Sequence, residues 1–317
     1  MFTSMPHVST LMEAPDYTSL APEELLQPRP QQLFAGTTSY LNITYANPVG
    51  WRPLTLDLHL PKQHKEPCPL VVYVHGGSFL VGIKAMGPWR SLPAMGIAVA
   101  SISYRLSGEA VFPEAIEDVR AAVRWARAKA SSFNIAPDAV ALWGSSAGAY
   151  LATMAGFLGN QPIGRQIGDH QDTSADVAAI IGHYGISDFG TLKEDAIDGT
   201  STETVMLEAA VRQFLGFDHS ADPQRLRATQ PLEIARTLNA IPPVCLMHGD
   251  NDHRVGQGQS LRLHKGLTEL GHNSTFVSVP GADHGDEAFS SRNLLQSSAV
   301  FLKSSWERAG KARAETP

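Results

Sequence analysis

The sequence is poor in cysteine and has no concentration of positive charge. Two cysteines, Cys68 and Cys245, occur among its 317 residues. Each lies beside a predicted core strand, and neither has the His or Cys spacing of a metal site, so we expect buried thiols rather than a disulfide. The formal net charge is −6 and no basic patch is visible, which argues against a nucleic acid as a partner.

Long hydrophobic runs are also missing. No apolar run reaches the roughly 18 residues that a membrane-spanning helix needs. Residues 1–20 contain no Lys or Arg and no continuous apolar core, so they do not have the pattern of a secretory signal, and we expect a cytoplasmic protein. What the chain does contain, 43% hydrophobic and 18% charged residues, is typical of a globular domain with a sizeable core.

Apolar runs alternate with helical periodicities along most of the chain. The clearest helix is predicted from Pro113 onward, where apolar residues recur at three- and four-residue steps. Further helices are predicted near residues 202–215 and from Glu287 to about Arg308. Such alternation predicts an α/β fold with a mostly parallel eight-stranded sheet, helices on both faces and an antiparallel pair at the N-terminal edge. The strands are expected at residues 40–45, 54–60, 70–74, 97–103, 140–143, 177–184, 243–248 and 275–279.

Three segments interrupt this pattern. Residues 1–40 are rich in proline, with one short helical candidate at 22–27, and are predicted to be an N-terminal arm that is either partly disordered or part of a lid. Residues 41–309 are predicted to form the main α/β domain, with a lid-like insertion at about 185–240, where strict alternation is lost. Residues 310–317 are predicted to be a polar tail.

The chain is organised around a predicted strand that ends in Gly144-Ser145-Ser146-Ala147-Gly148, after which an Ala- and Leu-rich helix begins. Gly-x-Ser-x-Gly between a strand and a helix places its serine on a tight, strained turn. Small neighbours relieve the crowding there, and the hydroxyl stands above the sheet. The helix also directs its first amides toward the same place. We therefore predict Ser146 as a nucleophile.

A serine hydroxyl is a poor nucleophile at neutral pH and needs a base, for which histidine is the natural side chain. His284 follows the last predicted strand in a Gly-rich loop, downstream of carboxylates that also follow a strand, and we predict it as the base. The carboxylate that orients it is either Asp250 or Asp252, and the other one would fix the loop. Asp283 is adjacent to His284 and is expected to point away.

A serine that attacks a carbonyl group also needs hydrogen-bond donors for the negative charge that develops. His75-Gly76-Gly77-Ser78 follows a buried strand, and its glycines allow the backbone to approach a substrate closely. We predict that the amides of Gly77, Ser78 and Ala147 form an oxyanion hole. His75 is expected to organise the loop rather than to take part in catalysis.

These motifs extend over much of the chain and together resemble those of one group of enzymes. They are His-Gly-Gly-Ser-Phe at 75–79, Tyr-Arg-Leu at 104–106, Phe-Pro-Glu-Ala-Ile-Glu-Asp-Val-Arg-Ala-Ala-Val-Arg-Trp at 112–125, Gly-Ser-Ser-Ala-Gly at 144–148, Asp-Pro-Gln-Arg-Leu-Arg-Ala-Thr-Gln-Pro-Leu at 222–232, His-Gly-Asp-Asn-Asp at 248–252 and Pro-Gly-Ala-Asp-His-Gly at 280–285. The chain resembles α/β-hydrolase esterases of the hormone-sensitive-lipase-like and BD-FAE-like (acetylxylan/feruloyl-esterase-like) group.

The resemblance covers roughly residues 54–305 and implies an α/β-hydrolase fold. It also implies Asp252 as the acid of the triad, and a carboxylic ester hydrolase that uses neither metal nor cofactor. The chain departs from the pattern where Ser78 stands in place of a third glycine or a bulky aromatic residue. It departs again at residues 107–109, which read Ser-Gly-Glu rather than Ala-Pro-Glu.

The predicted function is a serine hydrolase that cleaves small to medium-sized carboxylic esters through an acyl-enzyme. Its partner is a small-molecule ester, and a homodimer is one expected state because many such esterases dimerise. An arylformamidase-type amidase is the alternative, although its relatives usually carry an aromatic residue, often Trp, where this chain has Phe79. A catalytically silent binding module on the same scaffold predicts a broken triad, whereas Ser146, Asp252 and His284 are all present.

Overall fold

A nine-stranded sheet forms the centre of the computed structural model, which describes residues 28–50, 52–62 and 64–314. The strands are β1 (Pro30–Gln31), β2 (Thr37–Ala46), β3 (Leu54–Pro61), β4 (Cys68–Val74), β5 (Ala98–Ile102), β6 (Ile135–Ser145), β7 (Ile180–His183), β8 (Val244–Gly249) and β9 (Ser274–Val279). Their order in the sheet is β1-β2-β3-β5-β4-β6-β7-β8-β9. Strands β4 to β9 run parallel, and β1 to β3 form an antiparallel edge.

Helices cover both faces of this sheet. They are α1 (Glu114–Ala128), α2 (Ala147–Leu158), α3 (Leu192–Asp195), α4 (Thr202–Leu215), α5 (Pro223–Arg227), α6 (Pro231–Ala235), α7 (Gly258–Glu269) and α8 (Arg292–Ala314). Val72 of β4 packs in one core cluster with side chains of α1 and α2, whereas Val71 packs in a second cluster with side chains of α8. Because successive strand residues point to opposite faces, β4 is buried on both sides, which explains its continuous apolar run.

The predicted α/β architecture, a mostly parallel sheet with helices on both faces, is confirmed, with nine strands instead of eight. The additional strand β1 consists of Pro30 and Gln31, which pair with Tyr40 and Ser39 of β2. Two residues are too few to produce an alternating pattern, and a proline-rich segment argues against a strand. The sequence therefore contains no signal from which this strand could be predicted.

The predicted segment boundaries need correction at both ends. Strand β2 begins at Thr37, so the boundary between the arm (1–40) and the main α/β domain (41–309) falls inside a strand. The helical candidate at residues 22–27 lies outside the described residues. Helix α8 continues to Ala314, where a tail was expected from residue 310.

Between β7 and β8 the chain leaves the sheet, at the place where the sequence predicts a lid-like insertion. Residues 184–243, all of which the structure describes, contain α3 to α6 and no strand. The start of this insertion is held by Gln259 of α7, which is fully buried. Its side-chain oxygen accepts hydrogen bonds from the amides of Ser187 and Asp188, at 2.8 Å each, and its side-chain nitrogen lies within hydrogen-bond distance of three acceptors in the same segment.

The two cysteines are buried, unpaired thiols, as predicted. Cys68 begins β4 and Cys245 lies within β8, and burial raises the pKa of the Cys245 thiol to about 12. A thiol that stays protonated is a weak nucleophile and a weak metal ligand. Among the helices of the described ranges, none combines the length and the apolar character needed to cross a membrane.

A buried ion pair fixes the loop after β5 to helix α1. Arg105 of the Tyr-Arg-Leu motif donates from Nε and Nη2 to Asp118 Oδ1 at 2.9 and 2.5 Å, and its backbone amide donates to Oδ2 at 2.7 Å. Asp118 is fully buried and Arg105 nearly so. This ion pair thus joins the Tyr-Arg-Leu motif to helix α1, which follows the motif in sequence.

We expect Asp118→Ala to lower the free energy of unfolding by about 3 to 5 kcal/mol, because it leaves the buried Arg105 guanidinium without its main partner. Denaturant unfolding followed by circular dichroism measures this loss. Glu233→Ala is the matched control, since its ion pair with Arg236 is exposed and is worth less than about 1 kcal/mol. Equal losses in the two variants would contradict the assignment of Arg105 and Asp118 as a structural anchor.

Candidate active site

Ser146 occupies a strained turn between β6 and α2. Its backbone angles are φ 55° and ψ −123°, a region that residues with a Cβ rarely adopt. A Cβ at Gly144 would lie 2.1 Å from the carbonyl oxygen of Gly148, and one at Gly148 would lie 2.1 Å from that of Val74. Glycine is therefore required at both positions, which is the physical reason for the Gly-x-Ser-x-Gly spacing.

The turn brings the Ser146 hydroxyl to the imidazole of His284. Ser146 Oγ lies 2.8 Å from His284 Nε2, and His284 Nδ1 lies 2.8 Å from Asp252 Oδ2. An ionised carboxylate only accepts hydrogen bonds, so Nδ1 of His284 carries the hydrogen and Nε2 is free to accept the proton of the serine hydroxyl. This is the geometry that a serine nucleophile, its base and an orienting acid require.

Asp252 rather than Asp250 faces His284. The second oxygen of Asp252, Oδ1, accepts hydrogen bonds from the amides of Arg254 and Val255 at 2.9 and 2.8 Å. Burial by itself would raise the pKa of Asp252, but hydrogen bonds from histidine side chains and backbone amides outweigh it and hold the pKa well below its usual range. The carboxylate is therefore ionised in the folded protein at neutral pH.

The two other candidate carboxylates stabilise the loops around the site. Asp250 Oδ1 accepts a hydrogen bond from the amide of Gly281 at 2.6 Å, and it thereby ties the loop after β8 to the loop after β9. Asp283 accepts from the amides of His253 and His284, and about half of its side chain is exposed. Neither makes a hydrogen bond to the imidazole of His284 in the structure.

A second histidine, which the sequence analysis did not single out, lies behind Asp252. His248 is fully buried, and its Nε2 lies 3.2 Å from Asp252 Oδ2 and 2.8 Å from the carbonyl oxygen of Val255. Its Nδ1 lies 2.7 Å from the hydroxyl of Ser260 in α7. The only sequence signal for this contact is the four-residue spacing from His248 to Asp252.

The loop that contains the predicted oxyanion donors, residues 75–79 (the oxyanion loop), has an unusual backbone. Gly77, Ser78 and Phe79 have successive positive φ angles of 126°, 53° and 64°. A Cβ at Gly76 would lie 3.1 Å from that of Ser146, so the loop passes directly beside the serine. Phe79 has this conformation although it is not glycine, which indicates that surrounding contacts impose it.

Three backbone amides, two in the oxyanion loop and one at the start of α2, have no hydrogen-bond acceptor within the part of the chain that the structure describes. They belong to Gly77, Ser78 and Ala147, the donors predicted from the sequence. Ala147 is the first residue of α2, so its amide has no partner inside the helix. These amides are available to a negatively charged oxygen, and the strained loop carries two of them.

The oxyanion loop is held by contacts on both of its sides. The ring of Phe79 stacks on Phe214 of α4 with centroids 4.0 Å apart, so the loop is packed against the insertion. The carbonyl oxygen of Phe79 accepts hydrogen bonds from the amide and the hydroxyl of Ser107, at 2.8 and 3.0 Å. Ser107, at the departure from Ala-Pro-Glu, thus supplies a direct contact to this loop.

His75 and Tyr184 are aromatic neighbours of the site. His75 is buried, its ring is stacked on Tyr104 at 4.5 Å, and its Nδ1 lies 2.8 Å from Gly76 O, which agrees with the loop-organising role expected for it. Tyr184, which follows β7, places its ring edge-on to the imidazole of His284 at 4.7 Å. No sequence pattern marks Tyr184 as a neighbour of the site. Across the described ranges, no cluster of three or more His, Cys, Asp or Glu side chains is arranged to hold a metal ion.

Comparison with known proteins identifies one family and several esterases. A family model described as BD-FAE matches residues 56–267. Esterase LipC of Mycobacterium tuberculosis is 30% identical over 226 residues, which make up 69% of this chain and 53% of LipC. Esterase LipQ of the same organism is 26% identical over 284 residues, or 86% of this chain and 63% of LipQ. The chain therefore spans between half and two thirds of the length of these relatives.

Solved structures show the same fold. A truncated form of a carbohydrate esterase from gut microbiota superposes with a TM-score of 0.76 and 25% identity, covering 89% of this chain and 99% of that one. Esterase B from Lactobacillus rhamnosis superposes with a TM-score of 0.71 over 88% of each chain. Its identity is 19%, so this second likeness concerns the fold alone.

The two loop carboxylates allow a matched test of the site. We expect Asp252→Asn to slow the labelling of Ser146 by a fluorophosphonate by roughly 10⁴-fold, because an amide at this position favours the wrong tautomer of His284. Asp250→Asn removes the same charge two residues away and is expected to retain most of the rate. Labelling is measured by mass spectrometry over time. A comparable loss in both variants would contradict the assignment of Asp252.

Proposed function

Because the chain belongs to the BD-FAE family, we propose that it is a carboxylic ester hydrolase with Ser146, His284 and Asp252 as its catalytic triad. The observation that carries the proposal is the hydrogen-bonded line from Ser146 Oγ through His284 to Asp252, with 2.8 Å at each contact. Ester hydrolysis as the reaction class is supported by the names of the relatives, among them LipC and a carbohydrate esterase.

In the proposed reaction, Ser146 Oγ attacks the carbonyl carbon of the ester while His284 Nε2 takes the hydroxyl proton. Asp252 stabilises the imidazolium that forms, and the amides of the oxyanion loop and of Ala147 donate hydrogen bonds to the oxyanion. The tetrahedral intermediate collapses to an acyl-enzyme, and the alcohol leaves with the proton from His284. Water, activated by the same nitrogen, then releases the acid and restores Ser146.

The proposed substrate is a small-molecule ester of small to medium size. The contact between Phe79 and Phe214 joins the oxyanion loop to the helical insertion, so the insertion packs against the loop that passes beside Ser146. The insertion is thus the segment that we expect to select the acyl and alcohol groups.

Hydrolysis of p-nitrophenyl esters, from acetate to decanoate, tests the proposal. We expect Ser146→Ala to lower kcat by roughly 10⁴- to 10⁶-fold, because only binding and oxyanion effects then remain. Ser145→Ala is the matched control and is expected to retain turnover. The hydroxyl of Ser145 accepts a hydrogen bond from the hydroxyl of Tyr73 at 2.9 Å and has no part in the proposed reaction. The chain length with the highest kcat/KM measures the size of the acyl pocket.

Two outcomes would overturn this proposal. Equal activity of the wild-type protein and Ser146→Ala would exclude Ser146 as the nucleophile. A wild-type protein that cleaves N-formyl-kynurenine but none of the esters would identify the arylformamidase-type amidase instead.

A further inference from the structure

His248 lies in the sheet directly behind the proposed triad acid. It is the next-to-last residue of β8, and its side chain is fully buried. Three groups surround its ring: the Asp252 carboxylate and the carbonyl oxygen of Val255 near Nε2, and the hydroxyl of Ser260 near Nδ1. The contacts extend the line of Ser146, His284 and Asp252 by two further residues, into helix α7.

The partners of the ring determine where its hydrogen is. The carbonyl oxygen of Val255 and the ionised carboxylate of Asp252 can only accept hydrogen bonds. Nε2 of His248 must therefore carry a hydrogen. This nitrogen is hydrogen-bonded to the carbonyl oxygen of Val255 at 2.8 Å, and Oδ2 of Asp252 lies 3.2 Å from it. The hydroxyl of Ser260 holds the opposite side of the ring at 2.7 Å, so the imidazole cannot rotate without breaking a buried hydrogen bond.

We propose that His248 is a positioning residue for the reaction, which donates a hydrogen bond to Asp252 and is itself oriented by Ser260. This inference rests on the proposed function, since it assigns a role toward the acid of that triad. Oδ2 of Asp252 is the oxygen that contacts both His248 and His284, whereas Oδ1 is held by backbone amides. The hydrogen bond from His248 thus acts on the oxygen that orients the base.

The hydrogen bond from His248 is expected to weaken the attraction between the Asp252 carboxylate and a protonated His284. A carboxylate that receives several hydrogen bonds has its charge spread over their donors. Removing the donor of His248 concentrates the charge on Oδ2, which stabilises the imidazolium of His284 further. The titratable groups that face Asp252 from other elements are His284 and Asp283 of the loop after β9, and Tyr184 after β7.

Two variants of His248 test this role, and they differ in whether the side chain has a hydrogen-bond donor for Asp252. His248→Leu removes the hydrogen bond, whereas His248→Gln keeps an N–H group near the position of Nε2. We expect the acidic limb of the kcat/KM profile against pH to move up by about half a pH unit or more in His248→Leu. We also expect kcat to fall roughly tenfold with little change in KM. In His248→Gln, both values are expected to return toward those of the wild type.

Helix α7, which contains Ser260, also contains a histidine that serves as a matched control. His264 of α7 makes the same kind of contact, from Nδ1 to the hydroxyl of Ser274 at 3.0 Å, and no contact to the triad. His264→Leu is expected to leave both kcat and the pH profile unchanged. If His248→Leu does not fold, Ser260→Ala takes its place, with a shift of the same sign and smaller size, because it releases the ring of His248 rather than removing it.

Labelling by a fluorophosphonate as a function of pH separates failure of this inference from failure of the proposed function. A wild-type protein that neither turns over esters nor is labelled overturns the proposed function itself. If the wild-type protein is labelled, an acidic limb that stays in place or moves down in folded His248→Leu, or in Ser260→Ala when the first variant does not fold, overturns the role of His248 alone. A shift of equal size in His264→Leu would also overturn it.

Discussion

The backbone of Ser146 is the constraint on which the rest of the site depends. Its positive φ is a strained conformation that the surrounding backbone must hold in place. Glycine at positions 144 and 148 allows the neighbouring backbone segments to pack closely enough to do so. The turn is also held from the side, since the amide of Ser146 donates to the carbonyl oxygen of His183 in β7 at 2.9 Å. Strand β6, helix α2 and strand β7 together hold one hydroxyl group above the edge of the sheet.

The other residues of the site reach this hydroxyl because parallel strands end at the same edge. Asp252 and His284 follow β8 and β9, and the oxyanion loop follows β4. A buried carboxylate is costly unless its oxygens are hydrogen-bonded, and Asp252 meets this requirement with two amides and two histidine rings. The same contacts that make its burial tolerable also fix its direction toward His284.

Strongly periodic segments were predictable and short or interrupted ones were not. The helix expected near residues 202–215 has the bounds Thr202–Leu215 in the structure, because a long amphipathic pattern is a local property. By contrast, the last helix was expected to begin at Glu287. The structure has a short 3-10 turn from there, an extended Ser291, and then α8. Within the 3-10 turn, Phe289 packs into the core against Tyr184 of a distant segment, a contact that no local pattern records.

The sequence by itself determined the alternation of strands and helices and the glycine-flanked serine, because these depend on neighbouring residues. Reasoning from the residues left Asp250 and Asp252 as alternatives, since both lie in one loop and differ only in direction, and only the resemblance to a known family implied Asp252. Tertiary structure decided between them by pairing Asp250 with the amide of Gly281 and Asp252 with His284. Such pairings depend on how two loops that are distant in sequence pack at the edge of the sheet, and local sequence does not determine that packing.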